Sequence, residues 1–294
     1  SAVNAFDVNA FAQQLQESGA GYFIFSISHA QQFFPFPSAK LDSILPGRTC
    51  ARDLPNDLYN AIAPKGIKMM FYGDKLAGWW VDNSYDSPPT YSDFGAGRGA
   101  RYDFTTYATK LREGNPNRLV TFNFSYLGWN STLGLGNVDY QAGEENTIGR
   151  LPSSRFSGEG NSQWQILTWM DEFWVHDRPG TPTPRYSDAE VTNYIRNIMD
   201  KEGVFTYNAA PYQDTLISSA TMNQLRAVNS AVHNRKVDDA STDLVYSGGW
   251  GTVAGANYAN GTGHYSQGAA SQVQYNFSGT GIKWYGVVGG DQGR

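Results

Sequence analysis

A single cysteine, Cys50, in a chain of 294 residues rules out both an internal disulfide framework and a cysteine-built zinc site. Its flanking arginines, Arg48 and Arg52, would favour a thiolate, but no base stands near in sequence, so a structural thiol is expected. Charged residues make up only 17% of the chain, the net charge is −5, and no basic run occurs, which argues against a nucleic-acid partner. No apolar run is long enough to cross a membrane, so no membrane partner is expected. The four histidines are scattered without metal-ligand spacing. Asp74, Asp82 and Asp86 do not fit a calcium loop, whose obligatory glycine they lack. Neither a glycine-rich phosphate loop nor a Gly-x-Ser-x-Gly elbow is present. The expectation is a protein without metal or cofactor.

Glycine (32) and tyrosine (18) are abundant and hydrophobic residues reach 40%, a composition of folded proteins with many turns and aromatic surface. The length suits one barrel-sized domain or two smaller ones. Asn123, Asn130, Asn260 and Asn276 head glycosylation sequons. Together with low lysine content and a start at Ser1-Ala2-Val3 that reads as mature or trimmed, they favour an extracellular location.

Periodicity organises the first part of the chain into alternating helices and strands. Phe11, Ala12 and Leu15 recur at helical spacing before Gly19, and Tyr22 to Ile27 then reads as a buried strand ending at Ser28-His29. Asp53 can cap a helix carrying Leu54, Leu58, Ala61 and Ile62, followed after Gly66 by strand Ile67 to Tyr72. Gly78-Trp79-Trp80-Val81-Asp82 is a short aromatic and β-branched run that ends on a carboxylate. Asp103 can cap a helix with Phe104, Tyr107, Ala108 and Leu111, ahead of strand Leu119 to Asn123. Trp164 to Trp169 and Val204 to Asn208 are further strands. Ser187 and Glu190 form a capping box for the helix between them, and a last helix carries Met222, Leu225, Val228 and Val232. Such alternation means βα units around a parallel sheet. In a parallel barrel the chemistry gathers where strands end, so Asp82 is a candidate acid or nucleophile, set against the plainer reading of a turn cap.

Two features disturb this pattern. Only five residues separate Tyr72 from Gly78, too few for the crossover between parallel strands. About seven barrel strands are countable rather than eight, with none before the first helix. Beyond residue 235 helical periodicity stops. Leu244–Tyr246, Gln272–Phe277 and Ile282–Tyr285 are short β segments of sandwich type, enough for half a sandwich. The expected architecture is an incomplete (β/α)8-type barrel over residues 1–235 followed by part of a β-sandwich over 236–294.

From about Phe6 to His233 the chain resembles the α-L-fucosidase family of retaining glycoside hydrolases. Tyr22 to Phe33 keep the aromatic start, the strand and one histidine, His29, of the family's second strand. Its second histidine and Asp-Gly are replaced by Ala30, Gln31 and Gln32. Gly78 to Asp82 resemble the fourth strand, whose terminal Asp is the nucleophile. Asn115-Pro116 precede a fifth. Asp139 to Glu144 look like the loop with a catalytic glutamate, and Gly203 to Pro211 match the last strand. The matches run in barrel order. The resemblance also implies that strand one and the helix between strands three and four are missing here, so segments of the intact protein are expected on other chains.

The resemblance implies a secreted, exo-acting hydrolase of a terminal sugar on an oligosaccharide or glycoconjugate. Fucose is its default, and the lost histidine and Asp-Gly leave room for another deoxy or L-configured sugar. Retaining hydrolysis needs two carboxyl groups roughly 5–5.5 Å apart. Asp82 suits the nucleophile and Glu144 the acid/base, with Glu145, Glu159 and Glu172 as rivals. His29 and Trp80 are expected at the substrate, with Glu172 beside a strand end. Trp79, Trp129, Trp169 and Trp174 are further stacking surfaces or core. The sandwich is a candidate carbohydrate-binding module. The alternative from another class is a glycan-binding or structural barrel that has lost catalysis.

Overall fold

The computed structural model describes residues 2–27, 33–70, 77–82, 104–123, 138–156, 162–171, 173–174, 183–212, 214–233, 237–256, 258, 261–266, 268, 270–276 and 282. The chain divides into two units, Ser1–Val232 and His233–Arg294.

The first unit opens with α1 (Ala2–Ala5) and α2 (Val8–Glu17). The Asp7 carboxylate caps α2 by accepting from the Asn9 and Ala10 amides, and the chain turns at Gly19 with φ +71°. Strand β1 (Tyr22–Ile24) follows, then α3 (Ala39–Ile44) under a Ser38 cap, which the sequence reading passed over. Helix α4 (Leu54–Ile62) is capped by Asp53 and carries Pro55 in its first turn, where no amide partner is needed. A 3-10 turn to the left-handed Gly66 leads into β2 (Lys68–Met70). Next come β3 (Gly78–Val81), α5 (Phe104–Leu111), β4 (Leu119–Phe122) and β5 (Gln165–Trp169). Helix α6 (Asp188–Met199) carries the Ser187–Glu190 capping box with both reciprocal bonds made. Strand β6 (Val204–Asn208) and α7 (Ser219–His233) complete the unit.

All three strand pairs of this unit are parallel: β1 with β2, β3 with β4, and β5 with β6. Backbone bonds also run between the pairs. The Ala77 amide donates to Met69 O, and the Asp139 amide to Val120 O. Residues 139–145 then run parallel to β5 through bridges Tyr140–Gln163 and Glu144–Leu167. Both strands flanking the short connection after Met70 therefore exist. Residues 71–76 of that connection lie outside the described residues, as does the expected Asp103 cap.

One face of these strands meets the helices. Phe11, Leu15, Leu54, Leu58 and Ile62 from α2 and α4 pack with Met69. Ala108 of α5 packs with Val120 and Phe122, and Trp79 and Val81 pack against this group. Tyr194 and Ile198 of α6 pack with Trp164 and Ile166. Because side chains alternate along a strand, the residues between these, Trp80, Thr121 and then Asp82 and Asn123, turn to the opposite face. The apolar periodicity thus decides where the site's side chains point.

The second unit pairs β7 (Leu244–Ser247) with β10 (Gln272–Tyr275), and β8 (Trp250–Ala254) with β9 (Thr262–Ser266), both antiparallel. Inside it His264 Nδ1 meets Asp239 Oδ2 at 2.6 Å, Thr262 donates to Asp239 Oδ1 at 3.0 Å, and the Tyr246 ring stacks on the imidazole. Apart from Ile282, which is exposed and outside any strand, the expected Ile282–Tyr285 strand lies outside the described residues.

Candidate active site

Asp82 follows directly on β3, and Asn123 directly on β4, held beside it by the Asn123 amide donating to Val81 O at 2.7 Å. Glu144 is carried by the segment bridged to β5, at the level of Leu167. All three thus sit at the C-terminal ends of parallel strands, on the face away from the helices. Their side chains converge. Asn123 Nδ2 donates to Asp82 Oδ1 at 2.9 Å and also to Glu144 Oε2. Two oxygens sharing one donor lie no more than about two hydrogen-bond lengths, roughly 6 Å, apart.

Asn123 is 1% exposed, whereas both carboxyl groups are half-buried. Burial pushes the Glu144 carboxyl above the usual carboxylate range; the Asn123 hydrogen bond opposes this, and the Asp82 charge adds to it. A proton is thereby retained on Glu144 at a pH where an ordinary glutamate would have lost it. One carboxyl poised to give up a proton beside another fixed by a donor is the pairing that acid catalysis with nucleophilic attack requires.

Aromatic residues are frequent on and around the strands that carry the site. Trp80, two residues before Asp82, donates its indole N–H to Ala142 O at 3.1 Å. Tyr140 donates to Trp79 O at 2.7 Å, and burial raises its phenol well above the ordinary range. Tyr22 of β1 reaches Thr206 of β6, and burial raises its phenol to about 12. Near the end of β5 the Arg185 guanidinium lies 3.3 Å from the centre of the Trp169 ring.

The loop before Glu144 depends on Gly143. Its φ is +66°, and a Cβ there would lie 2.2 Å from the Gln165 carbonyl oxygen. Gly143→Ala is therefore expected to cost about 2 kcal/mol or more, by forcing the loop off β5. Chemical denaturation measures this, and activity should fall with it because Glu144 moves too.

Other expected residues fall as follows. Trp79 is core, bonded through its indole to Leu111 O. Glu145 reaches toward Arg150 at 3.9 Å, and Asp171 is buried with Thr221 donating to it. Glu172, His29, Glu159 and Trp129 lie outside the described residues, as do the sequons at Asn130 and Asn260. Asn276 is exposed. Asn123, expected as a glycan acceptor, is buried in the folded structure with its side-chain nitrogen bonded to both carboxyl groups, so a glycan on that nitrogen would not fit the folded site. Its position ending a strand beside that of Asp82 was the signal for a site role. The Cys50 thiol donates to Arg52 O at 3.1 Å, and Arg52 itself binds Asp57 and the Val3 and Phe6 carbonyls. Among the described residues no cluster of ligating side chains could hold a metal, and no helix is long and apolar enough to cross a membrane.

Residues 2–119 match the family model described as Alpha-L-fucosidase. A 50-residue stretch is 36% identical to the A type blood N-acetyl-alpha-D-galactosamine deacetylase of Flavonifractor plautii, covering 17% of this chain and 6% of that protein. Among solved structures, an endo-fucoidan hydrolase from glycoside hydrolase family 107 aligns with TM-score 0.60 at 12% identity, over 79% of this chain and 86% of that one. Alpha-L-fucosidase isoenzyme 1 from Paenibacillus thiaminolyticus aligns with TM-score 0.54 at 16% identity, over 78% of this chain and 64% of that one. At such identities the structural likeness speaks for fold alone. The chain is α-L-fucosidase-like and divergent, by sequence over residues 2–119 and by a fold shared with an α-L-fucosidase over 78% of its length.

Proposed function

We propose that the protein is an exo-acting retaining glycoside hydrolase that removes a terminal α-L-fucosyl or closely similar sugar from a glycan. The observation that carries this reading is the shared donor: one buried amide nitrogen bonded to both Asp82 and Glu144 at parallel strand ends. In this mechanism Asp82 attacks the anomeric carbon while Glu144 protonates the departing oxygen, giving a glycosyl ester on Asp82. Glu144, now a carboxylate, takes a proton from water, which displaces Asp82 and restores the starting configuration.

The three parallel pairs are read as arcs of one (β/α) barrel. The bonds from Ala77 to Met69 and from Asp139 to Val120, together with the Tyr22 side chain reaching β6, support that continuity. Trp80 offers an apolar face to the sugar, with His29 as a further contact. Fucose as the sugar is supported by the family match. A secreted setting is supported by the exposed Asn276 sequon. The shared donor and the raised Glu144 favour this reading over a glycan-binding barrel that has lost catalysis.

The test is hydrolysis of a panel of aryl glycosides by the full-length protein, with proton NMR of the first-formed sugar. Release of α-L-fucose from the α-L-fucoside supports the reading. First release of the β anomer contradicts retention, and no turnover of any glycoside contradicts catalysis.

A further inference from the structure

We propose that Asn123 is the positioning residue of the carboxyl pair, its single amide nitrogen fixing the separation between Asp82 and Glu144. This rests on their reading as nucleophile and acid/base. An amide nitrogen carries two hydrogens that diverge by about 120° in one plane, and each carboxylate takes one. Acceptors about 2.9 Å from such a nitrogen, each in line with its own hydrogen, lie about 5 Å apart. That is the spacing of retaining rather than inverting pairs, which stand roughly 6.5–9.5 Å apart to admit water.

The rest of the Asn123 environment points the same way. Its Oδ1 is buried and has no hydrogen-bond partner among the described residues. An unfilled buried acceptor is a cost that a leucine of similar volume would avoid. Among the described residues the side chain's bonds lie on the nitrogen side, where two carboxyl groups take a donor. Backbone geometry fixes the residue further, since its own amide is bonded to Val81 O on the strand that carries Asp82. Asn123 does not contact the sugar in this scheme. It acts through the two groups that do.

The test is Asn123→Ala, with Asn123→Ser as a second variant whose side chain is too short to reach both carboxylates. Glu144 is followed without substrate, by its carboxyl resonance in protein labelled with ¹³C-glutamate and assigned through Glu144→Gln. Loss of the hydrogen bond removes the influence that holds the Glu144 pKa down, so its midpoint should rise above the wild-type value. In the hydrolysis assay kcat should fall about 10²-fold with KM little changed, because the pair is misplaced rather than binding lost. The alkaline limb of the rate profile should move upward with the midpoint, and Asn123→Gln, which keeps the amide, should recover part of both. A folded Asn123→Ala protein with wild-type midpoint and rate overturns the inference, even if its thermal stability has dropped. If Asp82→Asn and Glu144→Gln also keep full turnover, the pair itself is misread and this role falls with it. If those two collapse while Asn123→Ala does not, only the role of Asn123 is wrong.

Discussion

Asp82→Asn should lower hydrolysis of an aryl α-L-fucoside on the order of 10⁴-fold or more, while the protein stays folded. An asparagine matches the aspartate in shape, and its carbonyl oxygen can still accept from Asn123 Nδ2. What it lacks is the nucleophilic oxygen, so no glycosyl ester forms. Azide supplied in solution should restore part of the rate, entering on the face that Asp82 vacates and giving β-L-fucosyl azide. The substitution also removes a negative charge that raises the Glu144 pKa, so the midpoint of Glu144 should fall. Turnover unchanged in the variant would mean that Asp82 is the turn cap that its sequence position also allows.

Glu144→Gln carries the second large effect, and it depends on the leaving group. A glycoside with a basic aglycone needs a proton as the bond breaks and should lose about 10²–10⁴-fold in kcat/KM. An activated aryl glycoside departs without that proton and should form the ester at a near-normal rate. The ester then accumulates, because no base activates water, and azide should release it with the starting α configuration. This outcome is opposite in stereochemistry to rescue of the Asp82 variant, so the two roles are told apart by product. The pH dependence follows from the same residue. Protonated Glu144 is the active acid, so the wild-type rate should fall as pH rises through its raised pKa, and the variant should lose that limb.

The sign for stability is also fixed. With a folded pKa above the unfolded one, the native state binds more protons, and stability declines as pH rises from the ordinary carboxylate value through the raised one. Glu144→Gln should therefore unfold at a higher temperature than wild type above that window, and the difference should vanish below it. Thermal unfolding across pH measures both arms.

Asp82 was legible because a buried aromatic run that ends in a carboxylate is a local signal, and the structure places it directly after β3. A short buried strand also ends at Asn123, on an amide rather than a carboxylate, and there the sequon pattern offered a competing meaning. Only a tertiary contact with residues 41 and 21 positions away decides between them. Glu144 had no strand pattern of its own. Its segment becomes strand-like by pairing with β5, through bonds to residues that follow it by about twenty positions. The helices were readable from caps and apolar spacing, as Asp53 and the Ser187–Glu190 box demonstrate. Strands β8 and β9 were missed because Gly251 and Gly263 interrupt weak alternation, and antiparallel pairing alone defines them. The connection after Met70 remains the point where chain length and parallel topology disagree most.

The most direct test of the account is to react the full-length protein with a 2-deoxy-2-fluoro-fucosyl fluoride and sequence the labelled peptide by mass spectrometry. The fluorine slows hydrolysis of the ester more than its formation, so the covalent intermediate persists. The account predicts one fluorofucosyl group on the peptide carrying Asp82, absent from Asp82→Asn and stabilised in Glu144→Gln. A label on Glu144 or any other carboxylate, or none in protein that hydrolyses the aryl fucoside, would contradict it.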